Sequence, residues 1–273
     1  MEILIMIVSA AVIILMVKYG LLRGIDNIAS AMNWSAKARG QVTGYATSVP
    51  ELVCLVAAGL AGVWEAGLWN IASANIINSV LMLFAVLKYR QFRELFNKRF
   101  LDEVGFAASA VAVPVVLMFV GLDTQWYLTP ILLAFFVVYQ IVDKLLNPPD
   151  ADEGTAEETV GSLPFGFIIA TTALAAIAVA GIFLGSATAE VVEQLGVHPA
   201  IAGWILGLMT SIPELVSFFA VYATAAREGK LQNLSDTQEV LDNLTGSNMA
   251  NVGVVYPIGL AAFLLGTSLL AGG

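Results

Sequence analysis

Thr47-Ser48-Val49-Pro50-Glu51-Leu52-Val53 returns in the second half of the chain as Thr210-Ser211-Ile212-Pro213-Glu214-Leu215-Val216, with only Val49 changed, to Ile212. Each copy sits in an apolar segment and is followed by three asparagines at one spacing: Asn70, Asn75 and Asn78, then Asn243, Asn248 and Asn251. A carboxylate beside a proline inside an apolar segment is expensive in a bilayer, so two copies call for a function. The chain carries an internal repeat.

Composition sets the surroundings of that repeat. The 273 residues are 59% hydrophobic and only 12% charged, with a mean hydropathy of +0.85. A soluble domain carries about 25% charged residues, so the chain reads as an all-α integral membrane protein. Apolar runs of about 20 residues point to helices rather than to the alternating strands of a membrane barrel. The formal charge of −9 and the lack of a compact basic patch speak against nucleic-acid binding. The single cysteine, Cys54, excludes an internal disulfide and a multi-cysteine metal site, and a packing role is expected for it. Glu2 and the absence of a basic leading segment predict a retained first helix rather than a signal peptide.

Seven apolar runs are read at 3–22, 40–64, 67–87, 104–121, 126–146, 164–187 and 200–226, and an eighth from 243 onward. The last is too long for one untilted helix and too short for two, so about eight transmembrane helices are expected. The segment 147–163, with Pro148-Pro149 and five acids, predicts an acidic cytoplasmic linker between the halves 1–146 and 164–273. The polar stretch 227–242 reads as a cytoplasmic loop. His198 is expected at the surface, and the five tryptophans at the membrane interfaces.

All twelve Lys and Arg fall in the connections that follow odd-numbered runs or, as Lys18 and Lys144 do, near the ends of the runs that lead into them. The positive-inside rule then places those connections in the cytoplasm and both termini outside, in a prokaryotic cell membrane. Runs two and seven, which hold the matching motifs, therefore cross in opposite directions, and the two repeats are inverted.

Proline in a helix removes a backbone hydrogen bond and clashes with the preceding turn. Pro50 and Pro213 are expected to loosen their helices, with Gly44 and Gly207 easing the bend. Freed carbonyls, together with Thr47 and Ser48 near Glu51, and Thr210 and Ser211 near Glu214, make an oxygen-rich site suited to a hard cation. Asn78 shares a helix face with Ala74, and Asn251 with Ser247. Asn75 and Asn248 point elsewhere and are expected to bond between helices.

These paired Thr-Ser-x-Pro-Glu-Leu motifs, with Gly246-Ser247-Asn248 and Asn251 in the second copy, resemble the α-repeats of the cation/calcium exchanger superfamily, most closely its sodium/calcium exchangers. The resemblance implies Glu51 and Glu214 as central metal ligands at the membrane midplane. It implies further ligands from Thr47, Ser48, Thr210, Ser211, Asn78, Ser247 and Asn251, and sodium-lining carbonyls from Gly44 and Gly207. It also implies alternating access, with the first and sixth helices sliding past the ligand-bearing core. The expected function is a secondary antiporter exchanging Ca²⁺ for Na⁺, with no cofactor and no enzymatic activity.

Three departures from the family pattern stand out. The family commonly has ten helices, and eight are read here, the last two apparently absent. Ala74 stands where serine is frequent, and Asn251 where aspartate is frequent. Two glutamates carry a charge of −2, which one Ca²⁺, two Na⁺ or two H⁺ would balance. Three Na⁺ would leave excess positive charge in a low-dielectric site. An H⁺-coupled exchanger of Ca²⁺ or another cation is therefore the nearest alternative. A membrane subunit needing a partner is a more distant one, and an intramembrane acid/base enzyme lacks supporting motifs. The bilayer and the transported ions are the expected partners, and a homo-oligomer is left open.

Overall fold

The computed structural model describes residues 1–147, 162–196, 198–229, 231 and 234–271. Among them are eight helices long and apolar enough to cross a membrane: α1 Glu2–Met32, α2 Ala36–Leu60, α3 Trp64–Lys88, α4 Lys98–Phe119, α5 Leu128–Leu146, α6 Leu163–Thr188, α7 Pro199–Arg227 and α8 Leu234–Ser268. The described residues contain no strand. The acidic linker lies almost wholly outside the described residues. Phe84, Phe119, Val137 and Phe183 on the outer faces are each more than half exposed. Such a belt is stable only against lipid, and the chain is an integral membrane protein.

Two boundaries differ from the sequence reading. The first helix runs to Met32 rather than ending near residue 22, through a π-turn at Val17–Leu21. More consequentially, the stretch read as a loop over 227–242 is helical from Leu234 onward. Its polar residues are buried against partners: Thr237 shares a 3.2 Å hydrogen bond with Tyr222, and the Gln238 amide donates to Asp242 at 2.7 Å. Polarity therefore marks an inward-facing helix start here, not solvent. It also explains the long eighth run. α8 is one 35-residue span, about 50 Å at 1.5 Å per residue, well beyond the ~30 Å of a bilayer core.

α2 and α7 are each built from two helical halves. α2 breaks at Ser48 (φ −80°, ψ 0°) between Ala36–Thr47 and Val49–Leu60. α7 breaks at Ser211 (φ −82°, ψ −4°) between Pro199–Thr210 and Ile212–Arg227. Pro50 and Pro213 sit in the first turn of the second halves. A missing N–H costs nothing there, because first-turn N–H groups have no intrahelical acceptor. Each proline thus starts a new helix rather than bending a continuous one.

Packing interlocks the two repeats. Along α2, Gly44 lies against Asn243 and Ser247, and Gly59 against Gly259 and Phe263, so α2 and α8 run parallel. Along α7, Gly207 lies against Asn70, Ser73 and Ala74, and Tyr222 stacks on Tyr89, so α7 and α3 run parallel. A short turn at 61–63 folds α3 back against α2, with Gly67 against Leu55 and Ala58. α2 and α7 consequently run antiparallel, as inverted repeats require. The broken helix of each repeat packs on the unbroken helix of the other. Outside this core, α1 and α6 pair through an apolar cluster that includes Ile13, Val17, Leu21, Ile177 and Leu184.

Candidate ion site at the two helix breaks

The serine breaks bring both glutamates into the centre of the interlocked core. Glu51 and Glu214 are completely buried, as are Thr47, Thr210, Ser211, Asn78, Ser247 and Asn251, and Ser48 is nearly so. All nine come together, on α2, α3, α7 and α8. The threonines are exchanged between repeats: Thr210 lies beside Glu51, and Thr47 beside Glu214. The charge of Glu214 also acts on Glu51.

Hydrogen bonds account for one side of Glu214, Asn78 and Asn251 and leave the other bare. Ser247 donates to Glu214 Oε1 at 2.9 Å, and its hydroxyl also meets that of Ser48 at 3.1 Å. The Asn78 amide donates to Asn248 Oδ1 at 3.3 Å, and the Asn251 amide to Asn75 Oδ1 at 2.9 Å. Both oxygens of Glu51, Glu214 Oε2, Asn78 Oδ1 and Asn251 Oδ1 have no donor. Buried polar groups are nearly always bonded, and a buried carboxylate without a partner costs several kcal/mol. These are acceptor oxygens only, drawn from both repeats. Such a set suits a hard cation, which takes oxygen ligands, and offers little to a soft metal.

Gly44 and Gly207 stand one turn before the breaks, but their carbonyls are not bare. Gly44 O accepts from the hydroxyls of both Thr47 and Ser48 at 3.1 Å. Gly207 O accepts from Thr210 Oγ1 at 3.4 Å and from the Ser211 N–H at 3.0 Å. The stronger reason for glycine is helix contact. A Cβ on Gly44 would lie 2.3 Å from Asn243 O, and one on Gly207 would lie 2.0 Å from Ser73 Oγ.

Asn75 and Asn248 bond between helices as expected: the Asn75 amide reaches Ala110 O at 2.9 Å, and the Asn248 amide reaches Asn75 O at 3.2 Å. Cys54 is buried in packing, with its thiol 3.6 Å from Gly181 O. His198 is at the surface, accepting from the Ala200 N–H at the start of α7. Trp64 departs from the interfacial reading. It is buried, its indole donates to Asp123 at 3.0 Å, and its ring stacks on Phe263.

Residues 165–270 match the family described as Sodium/calcium exchanger protein, a stretch that contains Glu214, Ser247 and Asn251. The fold matches solved structures of the sodium-calcium exchanger NCX_Mj. Against the form soaked with 100 mM Na⁺ and 10 mM Sr²⁺ the TM-score is 0.57 at 21% identity, covering 99% of this chain and 90% of that one. Against the form soaked with 2.5 mM Na⁺ and 10 mM Sr²⁺ it is 0.57 at 22% identity, with the same coverage. The second half of the chain is thus similar to that family, and the whole chain shares the fold of these solved structures. No curated protein matches it.

Sequence reasoning overlooked a set of polar residues that fixes the candidate site from behind. Thr210 donates to Asn70 Oδ1 at 3.3 Å, and Asn243 donates to Ser217 Oγ at 2.7 Å. Ser73 donates to the carbonyls of Asn70 and Gly203, both at 3.1 Å. The recurrence of Asn70 as Asn243 was the available signal. It marks residues that hold α3 against α7 and α8 against α7, rather than candidate ligands.

Proposed function

We propose that the chain is a secondary antiporter that exchanges Ca²⁺ for Na⁺ at a single midplane site shared by the two inverted repeats. One observation carries this reading: five buried oxygens on Glu51, Glu214, Asn78 and Asn251, at the two helix breaks, have no donor. Ca²⁺ takes 6–8 oxygens at about 2.3–2.6 Å. The five supply most of such a shell, and the hydroxyls of Thr47 and Thr210 complete it. Ser48, Ser211 and Ser247 shape the site, with Ser247 orienting the Glu214 carboxylate. Na⁺ would draw on the same hydroxyls and on the carbonyls of Gly44 and Gly207, once the Thr47 and Ser48 hydroxyls turn away from Gly44 O.

Charge sets the coupling. Two carboxylates balance one Ca²⁺, or two Na⁺, without remainder. Asn251 is an amide and adds no third charge. Fewer than three Na⁺ per Ca²⁺ are therefore exchanged, and protons compete for the two carboxylates. Alternating access moves the α1–α6 pair across the broken helices. The basic connections face the cytoplasm, with both termini outside, as the positive-inside rule directs.

A second reading, H⁺-coupled Ca²⁺ exchange through the same site, is favoured by that same amide. Calcium uptake into proteoliposomes under an outward Na⁺ gradient, and separately under an outward H⁺ gradient, separates the two. Sodium-driven uptake with a reversal potential below three Na⁺ per Ca²⁺ is expected. A reversal potential at three would defeat the charge argument, and uptake driven only by H⁺ would replace the coupling ion.

A further inference from the structure

A second group of buried acids lies away from the glutamate pair, at the end of the bundle that carries the basic connections. One carboxylate oxygen each from Asp102 and Glu103 on α4 and Asp143 on α5 lies within 4.8 Å of the other two. Asn147 bridges the first two, its amide donating to Asp102 Oδ2 at 2.7 Å and Glu103 Oε1 at 2.8 Å. From α8, Gln238 spends its amide on Glu103 Oε1 at 3.2 Å and Asp242 Oδ2 at 2.7 Å. That brings a fourth carboxylate to the group.

Positive charge does not keep pace. Lys37 pairs with Asp143 at 2.7 Å and gives its other two donors to the carbonyls of Asp143 and Asn147. One ammonium thus faces four carboxylates. Three acceptor oxygens are left over: Glu103 Oε2, Asp242 Oδ1 and Gln238 Oε1 have no donor, and their side chains are at most 1% exposed. The Gln238 oxygen is the telling one. Its amide N–H groups hold two carboxylates while its own buried oxygen meets no protein donor, and a cation would satisfy it.

We propose that this cluster is a second binding site for a hard divalent cation, separate from the Glu51–Glu214 pair. Oxygens on opposite sides of a Ca²⁺ stand about 5 Å apart, which matches the observed spread of the carboxylates. Asp102 is half-buried and opens the cluster to solvent, while the rest is closed. The site joins α4, α5 and α8, and reaches α2 through Lys37 and through Gln41, which donates to Asp143 Oδ2 at 2.7 Å. Occupancy would therefore clamp the ends of the two helices, α2 and α8, that also carry transport-site groups. The inference does not depend on the transport reading.

The test is ⁴⁵Ca²⁺ binding to the full chain with Glu51→Gln and Glu214→Gln in place, so that only the second site remains. Saturable binding is expected to persist, and to weaken at least about tenfold on adding Asp102→Asn or Glu103→Gln. Asp102→Asn, at the half-exposed rim, decides the matter should the buried variant fail to fold. Calcium should also raise the melting temperature of the double variant but not of the version carrying Asp102→Asn. Absence of residual binding, or residual binding indifferent to Asp102→Asn, would overturn the proposal and leave protons as the balancing charge. Loss of one bound Ca²⁺ between wild type and the double variant tests the transport site separately.

Discussion

The two halves of the candidate ion site are alike in backbone and unlike in side chain. In the second repeat Ser247 donates to Glu214 and meets Ser48 across the repeat boundary. In the first repeat the equivalent position is Ala74. Ser211 reaches only its backbone carbonyl, at 3.4 Å, and Glu51 has no serine donor, only Thr210 beside it. A π-turn at Asn251–Val255 follows the second-repeat asparagine, while α3 stays α-helical past Asn78. The repeat therefore supplies a symmetric frame and an asymmetric lining. Ser247 holds one glutamate, and the position that would hold the other is an alanine.

The strongest way to break that comparison is to remove a charge from either side. Glu51→Gln and Glu214→Gln should each lower Ca²⁺ transport at least about a hundredfold. Unpairing a buried charge from its counter-ion costs about 3–5 kcal/mol, and 1.4 kcal/mol is a factor of ten. Proteoliposome uptake is the measurement. Equal losses would mean one shared site, and survival of either variant would mean that the halves act separately.

Next come the glycines at the helix contacts. Gly44→Ala would drive a Cβ to 2.3 Å from the Asn243 carbonyl, which is backbone and cannot turn aside. Gly207→Ala meets the Ser73 hydroxyl first, at 2.0 Å, and backbone only at 2.9 Å. Overpacking of this kind costs about 1–3 kcal/mol, so both should lower the melting temperature, Gly44→Ala by more. Reversal of that order would show that the two contacts are not as different as they look.

Smaller effects sharpen the comparison. Ser247→Ala should weaken cation binding about tenfold, since hydrogen bonds to charged groups are worth about 1.5–3 kcal/mol. Asn251→Asp adds a third carboxylate and should move the reversal potential toward more Na⁺ per Ca²⁺. Ala74→Ser would give Glu51 the donor that Glu214 already has, with an effect of about fivefold or less on Ca²⁺ affinity, read by a binding isotherm.

Much of this molecule was legible in the sequence because bilayer physics leaves a strong imprint. The eight spans follow from apolar runs, and the inversion of the repeats from the one-sided placement of the basic residues. Both Pro-Glu motifs and the Asn78/Asn251 pair lie buried in the core around the helix breaks. Other features left no such imprint. α8 begins at Leu234 because Thr237 and Gln238 find partners on α4, α7 and the 89–97 connection, and no local pattern announces partners that distant. The serine breaks were read as softened helices because a proline alone does not say whether it bends a helix or begins one. The second acid cluster draws Asp102, Asp143 and Asp242 from three helices, so only folding brings them together.

The most direct test of the central claim is anomalous scattering from crystals soaked in Sr²⁺, which stands in for Ca²⁺. A single peak in the membrane core, with Glu51 and Glu214 both within about 2.7 Å of it, is the predicted result. A peak bound to one glutamate alone, or two separate peaks with one on each, would contradict a site shared between the repeats.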